Sequence, residues 1–276
     1  MKSVSKSILW GLACAAALAP LAQAQSIVSR GQSFVRADLV PGKPMPDGDR
    51  MIGLALSMAP EWKTYWRSPG EAGIPPTIDW SGSQNVASTE VFWPRPEVFT
   101  SFGMLTIGYQ NHVILPVRLT PSDPSAPIEL DVSLDLGVCR DICVLETTQI
   151  SAMIPVDSQA GADLVSDAMA QVPASGADQG MEHATCKITG AGSDRDFSAS
   201  LVFDQPITSP MVLLEGPEGV WFHRTETVAS DTQIDVASKL SILFDDVWVS
   251  RKDVRMTVLA DNMAADIRGC EAPVAG

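Results

Sequence analysis

Ile128-Glu129-Leu130-Asp131-Val132-Ser133-Leu134-Asp135-Leu136 alternates apolar and polar residues without a break. Successive side chains of a strand point to opposite faces, so this pattern predicts a β-strand with one buried face. The run leads straight into Gly137-Val138-Cys139-Arg140-Asp141-Ile142-Cys143, which sets two cysteines four residues apart. A thiol pair that close forms or breaks a bond with little chain movement. Further short alternating or apolar runs lie at 51–58, 113–119, 149–156, 198–203, 211–214, 234–243 and 254–260, with Gly and Pro between them. Regular short strands separated by turn residues predict β-sandwiches rather than α/β layers.

One stretch breaks the pattern. Ala162, Leu164, Val165, Ala168 and Met169 recur at helical spacing, which predicts a helix over 161–172, ended by Pro173. Ala174-Ser175-Gly176-Ala177-Asp178-Gln179-Gly180 then reads as a linker. The expected organisation is a leader (1–24), a first β-sandwich domain (25–160), a helix and linker (161–180) and a second β-sandwich domain (181–276).

The leader has the marks of an export signal. Lys2 and Lys6 precede an apolar run from Ile8 to Leu21, and Ala22-Gln23-Ala24 is a small-x-small cleavage site. Cleavage after Ala24 and a periplasmic location are expected. No later stretch has the length and apolarity of a membrane helix, so the mature chain is expected to lack a transmembrane segment. The chain carries 19 basic and 33 acidic residues, a balance that argues against nucleic acid and anionic membrane surfaces as partners.

Beyond Cys14 in the leader, the cysteines are Cys139, Cys143, Cys186 and Cys270. An even set in an exported chain favours disulfides, and three connectivities are open. Spacing favours Cys139–Cys143 with Cys186–Cys270. The second bridge closes almost a whole domain into a loop, which stabilises by about 4 kcal/mol in the chain-entropy account. It reads as structural. The first closes a tiny loop and restricts little unfolded-state freedom. A helical turn after Cys139 would put residues i and i+4 on one face, with Cβ atoms ~5–6 Å apart. Arg140 would favour a thiolate there, while Asp141 and Glu146 would oppose it. Spacing alone leaves a permanent staple and an exchanging redox pair both open.

Trp62, Tyr65, Trp66, Trp80 and Trp93 form an aromatic-rich stretch that reads as core and turn packing. His112, His183 and His223 have no metal-ligand spacing, and the methionines are dispersed. No metal site or cofactor is expected, and no hydrolase triad, phosphate loop or dinucleotide fingerprint is present.

The framework around the close pair carries a family resemblance. Its marks are Trp62-Lys63-Thr64-Tyr65-Trp66-Arg67-Ser68-Pro69-Gly70-Glu71-Ala72-Gly73, Ile78-Asp79-Trp80, Trp93-Pro94-Arg95-Pro96, Gly108-Tyr109, Leu115-Pro116-Val117 and the cysteine motif itself. This region resembles the amino-terminal periplasmic domain of the thiol:disulfide interchange protein DsbD, and more closely the ScsB-like (suppressor of copper sensitivity) variant. Cys186, Trp221, Val254-Arg255-Met256-Thr257-Val258-Leu259 and Ile267-Arg268-Gly269-Cys270 extend the resemblance over most of the remaining chain.

The resemblance implies an all-β chain of two immunoglobulin-like β-sandwich domains, with Cys139 and Cys143 as the redox pair. It implies that Cys143 forms the mixed disulfide and Cys139 resolves it. It also implies a cap loop whose aromatic side chain shields the sulfurs; Phe102 is the candidate and Phe99 the second. The implied activity is thiol–disulfide interchange of the protein-disulfide reductase type. Periplasmic disulfide or thioredoxin-like proteins would be the partners and a separate membrane reductase the electron donor. Two other readings stay open: an interaction or scaffold module with Cys139–Cys143 as a staple, and a copper-tolerance accessory.

Overall fold

Strand formation follows the alternation seen in the sequence. The structure is a computed structural model and describes residues 33–101, 103–244 and 247–273. The expected leader, its cleavage point and Phe102 lie outside the described residues.

The strands of the first half are β1 (Val35–Pro44), β2 (Arg50–Met58), β3 (Lys63–Gly70), β4 (Thr77–Asp79), β5 (Ser88–Val91), β6 (Glu97–Ser101), β7 (Met104–Gln110), β8 (His112–Thr120), β9 (Ile128–Cys139) and β10 (Cys143–Ile154). One sheet has the order β1-β2-β8-β5 and the other β10-β9-β3-β7-β6, with β4 also on β9. The apolar positions of β9, from Ile128 through Val138, are all buried, as the alternation requires. They share one core with Ile52 and Leu54 of β2, Leu115 and Val117 of β8, and Trp66 of β3. Trp62, Tyr65 and Trp66 are buried and Trp80 and Trp93 pack against the core, so the aromatic-rich stretch serves packing.

The helix is α1 (Ala162–Ala170), with Val165 and Ala168 buried. It lies against β2 where Gly53 leaves room; a Cβ there would sit 3.2 Å from Val165. The segment read as a linker is itself docked. Ala174–Ser175 forms β11, paired in parallel with Ala265 and Asp266, and Ala177–Gln179 makes one 3-10 turn.

The second half contributes β12 (Met181–Thr189), β13 (Asp194–Phe203), β14 (Met211–Glu215), β15 (Val220–Phe222), β16 (Glu226–Ser230), β17 (Gln233–Ile242), β18 (Arg255–Leu259) and β19 (Ala264–Arg268). Its sheets run β11-β19-β18-β14 and β12-β13-β17-β15, with β16 also on β17. The architecture is therefore all-β, two sandwiches in sequence order.

The sandwiches share a seam. Leu213 of β14 and Leu259 of β18 are members of the first core. Arg67 of β3 donates to Glu215 through Nε (2.9 Å) and Nη2 (2.8 Å), and Nη2 also reaches Thr257 Oγ1 (3.1 Å). Its guanidinium lies over the Trp66 ring, 3.8 Å from the centroid. Arg95 donates to the carbonyls of Ala260 (2.8 Å) and Met263 (3.1 Å). A planar guanidinium held in this bidentate way fixes orientation as well as proximity.

Candidate redox site

The close pair sits on a hairpin, not on a helical turn. Cys139 ends β9 and Cys143 begins β10, and the two are directly opposite in antiparallel register with Cα atoms 4.1 Å apart. The expected i, i+4 helical geometry is replaced by the close approach of a non-hydrogen-bonded strand pair, typically ~4.5 Å. The three residues between them close the loop, and Arg140 N–H donates to Ile142 O (3.1 Å). The physical reason is continuation: the alternation of β9 persists to Cys139, and β10 matches it through Ile154. The two cysteines are bridged.

Their environments are unequal. Cys139 is 2% exposed, whereas Cys143 is an exposed residue. Tyr65 of β3 spans the bridge, its hydroxyl 2.8 Å from Cys139 Sγ and 3.5 Å from Cys143 Sγ. The sequence explains how it fits. Gly137 precedes Cys139 by two and shares its face of β9, and a Cβ at Gly137 would sit 3.0 Å from Cδ2 and Cε2 of the Tyr65 ring. Glycine thus opens the slot in which the ring lies. Thr64 Oγ1 donates to Gly137 O (3.0 Å) and pins β3 to β9. The loop after β3 folds back over the ring, where a Cβ on Gly73 would meet Tyr65 Cδ1 at 2.8 Å. Tyr65 is 3% exposed, and this burial pushes its phenol pKa up, so it is a neutral donor at ordinary pH.

The charged neighbours singled out in the sequence are engaged elsewhere. Arg140 Nε pairs with Asp141 (2.9 Å) at the exposed hairpin tip. Glu146 accepts from Ser33 Oγ (2.6 Å) and Phe34 N–H (2.7 Å). Phe99, on β6, lies under the Lys63 ammonium, 4.8 Å from the ring centroid, and Lys63 is the cross-strand neighbour of Cys139. The aromatic group described in contact with the sulfurs is Tyr65. Sequence reasoning placed Tyr65 only among packing residues; its signal was the phenol, a polar tip that needs a partner once buried. Exposed apolar side chains flank the site: Ile142 at the tip, Leu145 opposite Gly137, and Ile74 over Gly137.

The second bridge joins Cys186 of β12 to Cys270, with Cα atoms 5.7 Å apart. Cys186 N–H donates to Glu271 O (2.9 Å) and Glu271 N–H to Ala184 O (2.8 Å), so Glu271 lies beside β12. Among the described residues no group of three or more His, Cys, Asp or Glu is placed to hold a metal ion. Among them, too, no helix is long and apolar enough to cross a membrane.

Residues 35–155, which contain the whole hairpin site, match the family described as thiol:disulfide interchange protein DsbD, N-terminal. This segment resembles the N-terminal domain of DsbD. The DsbD-like likeness extends further in space. The crystal structure of the N-terminal periplasmic domain of ScsB from Proteus mirabilis superposes with a TM-score of 0.68 at 26% sequence identity, over 87% of this chain and 94% of that one. Both sandwiches are therefore covered, and the chain is ScsB-like and immunoglobulin-like in fold. No curated protein matches it in sequence.

Proposed function

We propose that this is a periplasmic thiol–disulfide exchange protein whose Cys139–Cys143 pair passes reducing equivalents to partner proteins. The observation that carries the proposal is the asymmetry of the pair: one sulfur exposed at a hairpin tip, the other buried directly behind it. Exchange needs an outer thiolate that a partner can reach and an inner one held within bonding distance to resolve the mixed disulfide. Cys143 fits the first role and Cys139 the second. The DsbD-like segment and the ScsB likeness support the coarser reading of a thiol–disulfide interchange module.

On this reading the partners are periplasmic disulfide proteins of the thioredoxin-like kind, and a membrane-embedded reductase supplies the electrons. Cys186–Cys270 is structural. The cap loop over the sulfurs, with Phe102 as its first candidate and Phe99 as its second, belongs to this proposal, and the position of Phe99 beneath Lys63 supports it. The boundaries 25–160 and 181–276 for the two domains belong to the same proposal.

The test is trapping. Reduced Cys139→Ser incubated with oxidised glutathione is expected to hold a stable mixed disulfide at Cys143, read as a glutathione mass adduct. Cys143→Ser is expected to hold little. Absence of an adduct in both variants, together with a pair potential below about −300 mV, would make Cys139–Cys143 a permanent staple.

A further inference from the structure

We propose that Tyr65 is a third catalytic residue, donating a hydrogen bond from its phenol to the Cys139 thiolate during resolution of the mixed disulfide. This rests on the exchange reading above, with Cys143 as the outer sulfur. Its starting point is geometric: the Tyr65 hydroxyl is 2.8 Å from Cys139 Sγ and 0.7 Å farther from Cys143 Sγ, at 3.5 Å.

The chemistry requires such a donor. When Cys143 carries a partner sulfur, the Cys139 thiol must lose its proton to water and attack Cys143 Sγ as a thiolate. The Cys139–Cys143 bond forms as the bond from Cys143 to the partner sulfur breaks. The bonding electron pair leaves on the partner thiolate, which takes a proton from solvent. The protein dithiol is oxidised by two electrons and the partner disulfide is reduced by two. Cys139 is 2% exposed, and a buried thiolate is disfavoured by desolvation. A hydrogen bond to the charged form offsets that penalty, and charge-assisted bonds are roughly twice as strong as neutral ones. The phenol keeps its own proton throughout, consistent with the upward push that burial gives its pKa.

The site is built to hold this contact. Gly137 makes the slot for the ring, Thr64 fixes the strand that carries it, and Gly73 lets the following loop close over it. An alanine at Gly137 would place its Cβ 3.0 Å from two ring carbons and force the ring to shift. The phenol position is therefore open to perturbation from the opposite strand, without touching either sulfur or the hydroxyl.

The experiment uses the full mature chain with Cys139–Cys143 reduced and Cys186–Cys270 intact, mixed with 5,5′-dithiobis(2-nitrobenzoate). Attack by Cys143 releases one thionitrobenzoate, and resolution by Cys139 releases a second. In Tyr65→Phe the first release is expected to stay within about twofold of wild type. The second is expected to slow about three- to tenfold at neutral pH, because a lost charge-assisted bond lowers the thiolate fraction while the freed thiolate is more nucleophilic. The pH midpoint of the second release should move up, and above it the variant should match or exceed wild type. Gly137→Ala should shift the midpoint in the same direction. A general packing defect would slow both releases at every pH. An unmoved midpoint, or equal slowing of both releases, would overturn the role of Tyr65. A wild-type protein that never gives the second release would instead sink the exchange reading itself.

Discussion

The two disulfides of this chain are the same bond in opposite settings. Cys186–Cys270 spans 84 residues, and its Cys186 end is 1% exposed beside the backbone bonds to Glu271. Cys139–Cys143 spans 4 residues, on a hairpin that the strand ladder already holds closed. The long bridge removes much unfolded-state freedom; the short one removes little. A bond that adds little stability, has one sulfur in solvent and a phenol on the other is suited to exchange. The difference lies in loop length and burial rather than in the cysteines themselves.

The comparison can be broken most directly by removing each bridge in turn. Cys186→Ser with Cys270→Ser is expected to lose about 4 kcal/mol of unfolding free energy, and Cys139→Ser with Cys143→Ser less than about 2 kcal/mol, measured by urea unfolding. Equal losses would erase the distinction. A smaller effect is expected from Arg67→Ala, which leaves Glu215 partly buried and unpaired at the seam; about 2–3 kcal/mol should be lost. The kinetics of the reduced close pair with 5,5′-dithiobis(2-nitrobenzoate) should stay unchanged in this variant. A slowed exchange would show that the second sandwich is part of the redox site and sharpen the comparison differently.

The smallest effect concerns pH. Burial alone would raise the Asp266 carboxyl, but its hydrogen bond with Arg255 and the charges of Arg255, Arg67 and Arg268 outweigh that and hold its pKa below the usual range. A depressed folded pKa gives stability that is present above the unfolded value of about 4 and is lost as pH falls through the folded one. Thermal unfolding midpoints should therefore drop below pH 4, and less steeply in Asp266→Asn.

Much of the fold was legible because alternation is local. The runs at 51–58, 113–119 and 128–136 fall within β2, β8 and β9. Strands β1 and β3 were hidden because Pro41, Gly42 and Pro44, or Pro69 and Gly70, interrupt them; the ladder accommodates both through register shifts. The close pair was legible by spacing, but four-residue spacing suits a helical turn and a three-residue hairpin loop alike. What decides is the partner strand, which begins only at Cys143. Tyr65 was out of reach for another reason. Its contact with Cys139 crosses 74 residues and depends on the register of β3 against β9 and on the missing side chain of Gly137. The Arg67–Glu215 clamp crosses 148 residues and has no local mark at all.

The register of β9 with β10 has one more consequence. From Ile128 opposite Ile154 to Cys139 opposite Cys143, the ladder is continuous, and it does not need the sulfur–sulfur bond to persist. Opening the bridge therefore frees almost no backbone, and each thiol remains at a very high effective concentration for the other. On the exchange reading, a change of oxidation state is therefore expected at the sulfurs rather than in the shape of the domain. On the proposed exchange reading, a partner that distinguishes the two states reads those two atoms and the phenol beside them.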